Sequence, residues 1–135
     1  MTQILSFIAA YMGYLWTGAR FRIVGSEVTT SNGGDALLLV ESASLRLRFV
    51  CDRTQLMLDF QPTDGAKPDE WYSVDLIRRL LRGERETSAL LDESYADFLE
   101  DHLGDVEQRF APEQWGATRE ELRRLKVKRA KEMFG

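Results

Sequence analysis

Cysteine, histidine and proline are scarce in this chain, with one, one and three copies among 135 residues. The single cysteine, Cys51, excludes an internal disulfide and is typical of a reducing compartment. The single histidine, His102, excludes a two-histidine zinc site and an H-E-x-x-H motif. The chain also has no P-loop, no G-x-S-x-G and no G-x-G-x-x-G sequence. We therefore expect no catalytic residues, no metal site and no cofactor.

Long apolar runs are missing as well. The most apolar stretch, residues 4–16, is shorter than the ~20 residues that a bilayer-spanning helix needs. It has no preceding Lys or Arg and no small-x-small cleavage site, both of which a signal peptide carries. We therefore expect a cytoplasmic protein with no membrane association. Its length and its hydrophobic content of 44% predict a single domain over residues 1–135.

The first element expected from the sequence is a helix. Apolar residues recur at three- and four-residue spacing through residues 4–16, with Thr2 as the N-cap and Gly18 at the end. Phe7 and Tyr14 widen this apolar stripe beyond a normal amphipathic face. Either the rest of the domain wraps the helix, or part of it is a contact in a homo-oligomer.

Four short strands are expected next, at residues 20–29, 36–42, 45–51 and 55–60. The turn residues Asn32-Gly33-Gly34 and Asp52-Arg53-Thr54 separate them, and connections this short imply an antiparallel meander. Gly25 predicts a bulge in the first strand. The first strand is expected to direct Phe21 and Ile23 to one face, and the run at 37–40 predicts burial of the second strand on both faces. The third strand alternates, with four residues predicted to point inward: Leu45, Leu47, Phe49 and Cys51.

Three helices are expected after a loop at residues 61–70. Ser73 begins the first of them and Gly83 ends it, while the second runs from Asp92 to about Phe110. The last begins at a T-x-x-E capping box formed by Thr118 and Glu121. The predicted fold is therefore α+β: an N-terminal helix, a four-stranded antiparallel meander and three C-terminal helices packed on one sheet face.

The strongest sequence signal is charge. Residues 84–113 contain ten acids and two bases, a local charge of −8 in a chain whose total is −4. A helical wheel places six of the acids on one arc: Glu93, Asp97, Glu100, Asp101, Asp105 and Glu107. The opposite arc holds apolar residues and His102, which we expect to be a buried or half-buried core histidine rather than a catalytic base. Like charges at i, i+4 spacing destabilise a helix.

Three interpretations of these carboxylates are open. They form a solvated face, they are compensated by the basic last helix, or they dock a basic protein partner. Complementary potentials accelerate encounter and fix orientation more than they add affinity.

Four arginines form the second charged feature. Arg20, Arg22, Arg46 and Arg48 are predicted to share one sheet face, where they would contact RNA or phosphates or pair with Glu41 and Asp59. The aromatic residues of these strands are predicted on the other face, and the net charge is negative, so nucleic acid is not the expected partner. Trp71 and Trp115 precede predicted helix starts, as structural anchors or, if exposed, as interface residues.

The stretch from Leu45 to Gly83 resembles small bacterial immunity-type proteins of polymorphic toxin systems. It contains LRLRFVCDRTQLMLDFQP followed by EWYSVDLIRRLLRG, a meander with a D-R-x-x-x-x-L strand before a W-x-S-x-D-x-(I/L) helix and an acidic helix. The resemblance implies toxin neutralisation by direct binding, and it assigns no functional residues. The basic last helix departs from the uniformly acidic surface that such a protein is expected to have.

The sequence thus favours a non-catalytic protein-binding module, in its sharpest form an immunity-like inhibitor that docks a basic partner through the acidic helix. One alternative is a structural or assembly protein that oligomerises through residues 4–16. The other is a small-ligand or phosphate binder that uses Arg20, Arg22, Arg46 and Arg48.

Overall fold

The computed structural model describes residues 1–29, 35–65 and 67–134. Its helices are α1 Thr2–Tyr11, α2 Val74–Arg82, α3 Glu93–Phe110 and α4 Pro112–Phe134, with a 3₁₀ segment at Gly13–Ala19. Its strands are β1 Arg22–Val28, β2 Ala36–Glu41, β3 Leu45–Asp52, β4 Gln55–Pro62 and β5 Tyr72–Ser73. They form one antiparallel sheet in the order β1-β2-β3-β4-β5. The α+β class is confirmed, and the sheet has one strand more than the sequence predicted.

The additional strand, β5, contains two residues. Tyr72 pairs with Phe60, and Ser73 pairs with Asp59. A two-residue strand is too short to show a period of two, so the sequence pattern could not reveal it. Ser73 is also the N-cap of α2, so the chain passes directly from the sheet into the helix. This junction fixes the start of α2 against the edge of β4.

The core lies between the sheet and the helices. On β3 the alternation is confirmed, since Leu45, Leu47, Phe49 and Cys51 are all buried. On β2 the inward residues are buried, whereas Leu37 and Leu39 on the other face are only half-buried. Helices α1 and α3 contact β3 and helix α2 contacts β4, while α4 packs mainly on α2 and α3. The expectation that all three C-terminal helices lie on the sheet is therefore corrected for α4.

Strand β1 forms one edge of the sheet. The predicted bulge is confirmed, because the pairing with β2 shifts register between Ile23 and Gly25. A Cβ atom at Gly25 would lie 3.3 Å from Cδ1 of Leu39, so the glycine allows the close approach of the two strands. Phe21 and Ile23 were predicted on one face, and they differ in burial: Phe21 is buried, whereas Ile23 is 51% exposed. Ile23 pairs with the buried Val40, yet it remains exposed because the helices pack mainly on β3 and β4.

Two predicted helix starts are also corrected. Thr2 is the first residue of α1 rather than its cap, and α1 ends at Tyr11, after which the chain continues as the 3₁₀ segment. Helix α4 begins at Pro112 instead of Thr118. Proline is favoured at the first helical position, where the missing N–H would have no partner. Thr118 is buried within the helix, so the predicted capping box does not mark a helix end.

The boundaries of α2 and α3 agree with the sequence. Gly83 ends α2 with a φ of 77°, a left-handed conformation that glycine adopts readily. Asp92 begins α3, and its carboxylate accepts a 3.0 Å hydrogen bond from the backbone N–H of Tyr95. Within the described residues, no helix is long and apolar enough to cross a membrane.

The turn between β3 and β4 has an unusual backbone. Asp52 pairs with Gln55, and the two residues between them, Arg53 and Thr54, have φ angles of 52° and 69°. Positive φ at both central positions is the signature of a type I′ turn, which Asn-Gly prefers. Such angles are costly for a β-branched residue. The other predicted hairpin turn, Asn32-Gly33-Gly34, lies outside the described residues.

Replacing this turn with its preferred sequence is expected to stabilise the protein. The double substitution Arg53→Asn and Thr54→Gly should raise the free energy of unfolding by about 1 kcal/mol, because it removes backbone strain from both positions. Urea denaturation followed by circular dichroism measures the change. Gly18→Asn, at a different positive-φ site, is the control and should not stabilise. A loss of stability in the turn variant would contradict the assigned geometry.

Candidate functional site

The acidic face of α3 consists of the six carboxylates Glu93, Asp97, Glu100, Asp101, Asp105 and Glu107. Five of them are exposed, and Glu107 is half-buried. The other side of the helix is buried, with Phe98, Leu99, Leu103, Val106 and Phe110 in or beside the core. The structure therefore brings the predicted carboxylates together on one continuous surface of one helix.

Two members of the acidic face are neutralised by arginines. Asp105 faces Arg109 one turn along the same helix at 3.4 Å, and Glu107 forms a 2.6 Å ion pair with Arg20. The other four, Glu93, Asp97, Glu100 and Asp101, form no ion pair within the described part of the chain. The N-terminal half of the acidic face consequently keeps its negative charge.

Tyr14 connects the acidic face to the N-terminal segment. Its hydroxyl donates a 2.7 Å hydrogen bond to the backbone oxygen of Ala96. Burial, together with the nearby carboxylates of Glu100 and Asp97, raises the pKa of the Tyr14 phenol above its ordinary value. The phenol therefore stays protonated and keeps donating its hydrogen bond at any physiological pH. Tyr14 fixes the 3₁₀ segment beside the charged surface.

The same N-terminal segment exposes large apolar side chains, which we call the apolar margin: Leu5, Tyr11 and Trp16, each at least 40% exposed. The stripe predicted from the sequence is thus divided. Ile4, Ile8, Met12 and Leu15 are buried in the core, and the apolar margin faces outward. The ring of the half-buried Phe7 contacts that of Tyr11, with centroids 5.0 Å apart.

The expected burial of His102 was wrong. His102 is exposed, and its ring lies against Phe98 with the centroids 4.5 Å apart. The helical wheel gives the direction of a side chain but not whether another element covers it. The apolar stripe of α3 is covered at Leu99 and Leu103, while this flank is open to solvent.

The expected core position of Cys51 is confirmed. Cys51 is buried, and its thiol donates to Oε1 of Gln3 at 3.2 Å. No group of three or more His, Cys, Asp or Glu side chains in the described ranges is arranged to hold a metal ion.

Three of the four predicted arginines share the outer sheet face. Arg46 and Arg22 approach Glu41 at 2.9 and 3.6 Å, and Arg48 pairs with Asp59 at 2.7 Å. These are the cross-strand pairs that the sequence offered as an alternative to a ligand face. Arg20 precedes β1 and pairs with Glu107 of α3 instead, so it does not belong to this face.

Two ion pairs that sequence reasoning missed join α2 to α4, and we call them the α2–α4 clasp. Arg129 donates to both carboxylate oxygens of the buried Asp75, at 3.1 and 2.9 Å, and to the hydroxyl of Ser73 at 2.8 Å. Arg79, also buried, donates to both oxygens of Glu132 at 2.8 and 3.0 Å. The partners are more than fifty positions apart in the chain, so no local sequence pattern predicts these pairs.

Compensation of the acidic face by α4 is not what the structure shows. Arg119 of α4 binds both oxygens of Glu70, and Arg129 binds Asp75. Arg124 approaches Glu120 of its own helix at 3.9 Å. The ion pairs of α4 in the described part of the chain thus go to α2, to Arg85 in the connection after α2, to the 67–71 segment and to α4 itself.

The attachment of α4 is expected to weaken in acid. Hydrogen bonding from Arg79 lowers the pKa of Glu132, and hydrogen bonding from Arg119 lowers the pKa of Glu70. A folded-state pKa below the unfolded value stabilises the fold above the unfolded value, and the contribution disappears as pH falls through the folded pKa. Stability should therefore fall between about pH 5 and pH 3, measured by urea midpoints.

A variant isolates these carboxylates from the general effect of acid. Glu70→Gln combined with Glu132→Gln removes both titrating groups and should show a shallower loss over the same pH range. An equally steep loss in the variant would show that other groups govern the acid response.

Trp71 and Trp115 contact aromatic or cationic groups. Trp115 is 9% exposed and lies inside α4, with its ring 5.0 Å from that of Phe110. Trp71 is half-buried on the outer side of the sheet, and Cζ of Arg48 lies 4.3 Å from its ring centroid. Trp115 is therefore a core residue, whereas Trp71 keeps part of its surface accessible.

Comparison with protein-family models, with curated proteins and with solved structures finds no match for this chain.

Proposed function

We propose that the protein is a non-catalytic protein-binding module that docks a basic partner through the acidic face. The observation that carries this proposal is the set of four exposed carboxylates, Glu93, Asp97, Glu100 and Asp101, without ion pairs in the described residues. Carboxylates that serve only to stabilise the fold would form ion pairs with nearby arginines, as Glu41 and Asp59 do on the outer sheet face.

The exposed side chains of the apolar margin also support the proposal that this surface binds a partner. Protein interfaces combine exposed aromatic residues, which lose much solvent contact on binding, with a charged rim that steers the encounter. Tyr14 links the 3₁₀ segment, which contains Trp16, to α3 next to Asp97 and Glu100. A partner with basic side chains around an apolar patch would match both parts.

The resemblance to immunity-type proteins favours a toxin as the basic partner. An immunity-like inhibitor in the bacterial cytoplasm would bind a toxin directly and with fast association. Opposed potentials raise association rates to about 10⁸–10⁹ M⁻¹s⁻¹ at low salt. A basic nuclease or another basic toxin is the partner class that this chemistry fits.

Differential capture tests the proposal. The immobilised protein is exposed to lysate of its own source together with two variants, one with Asp97, Asp101 and Asp105 changed to Lys and one with Glu113, Glu120 and Glu121 changed to Lys. Both variants alter the net charge by the same amount. The proposal expects a basic protein that the wild type and the second variant retain and the first loses. Retention by all three forms would exclude the acidic face as the docking site.

Assembly through the N-terminal segment is the second candidate, and the exposure of Leu5, Tyr11 and Trp16 favours it. A self-association surface would use the apolar margin without the carboxylates, since like charges would oppose each other. Size-exclusion chromatography with light scattering separates the two candidates. A monomer favours docking to another protein, and a defined oligomer that Trp16→Glu dissociates favours assembly.

A further inference from the structure

A cleft lies between the 67–71 segment and α4, on surfaces that the proposed docking function does not use. It has two adjoining parts, of about 520 and 300 Å³, and both are lined by Asp69 and Lys126. The first part lies over Tyr72, between Lys67 and the α4 residues Arg119 and Arg123. The second reaches Arg48, Trp71 and Arg129. Each volume falls within or at the edge of the range of small-ligand sites.

The charges of this cleft do not balance. Three of its bases have acid partners, because Arg119 pairs with Glu70, Arg48 with Asp59 and Arg129 with Asp75. The other three are Lys67, Arg123 and Lys126, which form no direct ion pair in the part of the chain that the structure describes. All three line the first part of the cleft. Cations that converge in a concave site concentrate the potential there and attract anions.

The walls of the first part are held in place. Arg119 donates three hydrogen bonds of 2.8–3.1 Å to Glu70, which fixes the 67–71 segment against α4. The Lys126 ammonium lies 5.7 Å from the ring centroid of Tyr72, which is itself buried. The pKa of Glu70 is lowered chiefly by its hydrogen bond from Arg119, and the charges of Arg123 and Lys67 add to this effect. The three cationic side chains thus line the same part of the cleft, around Glu70 and Tyr72.

The second part of the cleft has a different chemistry. One side is the half-buried Trp71, whose ring already contacts the guanidinium of Arg48. The exposed carboxylate of Asp69, which has no ion pair within the described residues, lies at the boundary between the two parts. An aromatic wall favours a flat ring, and a free carboxylate accepts hydrogen bonds from hydroxyl or amino groups.

We propose that this cleft binds a small phosphorylated ligand of the nucleotide class. Its phosphates lie among Lys67, Arg123 and Lys126, its hydroxyl groups reach Asp69, and its ring system lies towards Trp71. A nucleic-acid strand fits less well, because the acids Asp59, Asp69 and Glu70 line the two parts of the cleft and would repel a longer run of phosphates. The site is separate from the acidic face, so it stands whether or not the docking proposal holds.

Isothermal titration calorimetry with ADP, pyrophosphate and adenosine tests the proposal on the full chain. ADP is expected to bind saturably and at least about tenfold more tightly than pyrophosphate, a difference that stacking on one aromatic ring can supply. Adenosine should bind weakest, since it lacks the phosphates. Absence of saturable ADP binding at millimolar concentration, or equal affinity for ADP and pyrophosphate, would overturn the assignment. So would a single-stranded oligonucleotide that binds more tightly than ADP.

Matched variants locate the binding. Arg123→Glu with Lys126→Glu should weaken ADP binding at least about tenfold, because each reversal replaces attraction by repulsion. The control, Arg124→Glu with Lys128→Glu, makes the same charge change on α4 outside the cleft and should retain most of the affinity. Lys67→Glu, on the opposite wall, gives an independent loss should the first variant fold poorly by circular dichroism. Equal losses in the cleft variant and the control would overturn the site.

Discussion

Asp75→Ala is expected to lower the free energy of unfolding by about 3 kcal/mol. Asp75 is buried near the start of α2, and its carboxylate accepts two hydrogen bonds from Arg129 and one from the hydroxyl of Ser73. Removing one member of a buried ion pair leaves the other without its partner, which costs more than the pair itself contributes. The negative charge in the first turn of the helix is lost as well. Urea denaturation, with the slope checked for two-state behaviour, measures the loss.

Glu93→Ala is the matched control for this prediction. Glu93 also lies in the first turn of a helix, but it is exposed and forms no ion pair within the described residues. Its replacement should cost no more than about 1 kcal/mol, the contribution of a charge near a helix terminus. A double-mutant cycle with Arg129→Met should give a coupling energy above about 1 kcal/mol. Equal losses for Asp75 and Glu93, or no coupling, would contradict the structural role of the clasp.

Reversal of three carboxylates on the acidic face, Asp97, Asp101 and Asp105 to Lys, is expected to slow association with the captured partner by about 10- to 100-fold at low salt. The fold should be little affected, because these residues are exposed and the i, i+4 repulsion among three Asp is replaced by that among three Lys. Stopped-flow or surface-plasmon measurements of the association rate across ionic strengths give the readout. The salt dependence should become weaker together with the rate.

A second variant, with Glu113, Glu120 and Glu121 changed to Lys, separates the effect of charge on the acidic face from the effect of net charge. These three residues are exposed on α4, and their reversal changes the net charge by the same six units. If docking uses the acidic face, the control should change the association rate only slightly. An unchanged rate in the α3 variant, or an equal decrease in both, would contradict the docking face.

The sequence predicted those elements whose signals are local. The alternation at Leu45–Cys51 fixed the faces of β3, and Asp92 and Gly83 marked helix ends because their side chains or backbone serve the helix terminus directly. The T-x-x-E pattern at Thr118 misled because the same spacing also occurs inside a helix, and Pro112 was the stronger start signal.

The sequence could not show which side chains are covered by neighbouring helices and strands. The helical wheel places His102 on the apolar side of α3, but no neighbouring element in the described part of the chain covers it and it is exposed. The acidic face was predictable because it depends on one helix alone. The α2–α4 clasp and the cleft were not, since each needs distant residues to meet. The clasp joins Asp75 and Arg129, fifty-four positions apart, and the cleft joins Glu70 and Arg119, forty-nine positions apart.

The bulge in β1 has a consequence for how the protein behaves at high concentration. An edge strand offers unpaired backbone groups on which strands of other molecules can assemble into fibrils. The shift of register between Ile23 and Gly25 interrupts that row and increases the local twist. Without the bulge, β1 would be a regular strand with Ile23 and Val28 exposed along it, and strands of other molecules could pair with its edge. Deleting Val24 would restore a regular strand, and strands of other molecules could then add to this edge and form fibrils.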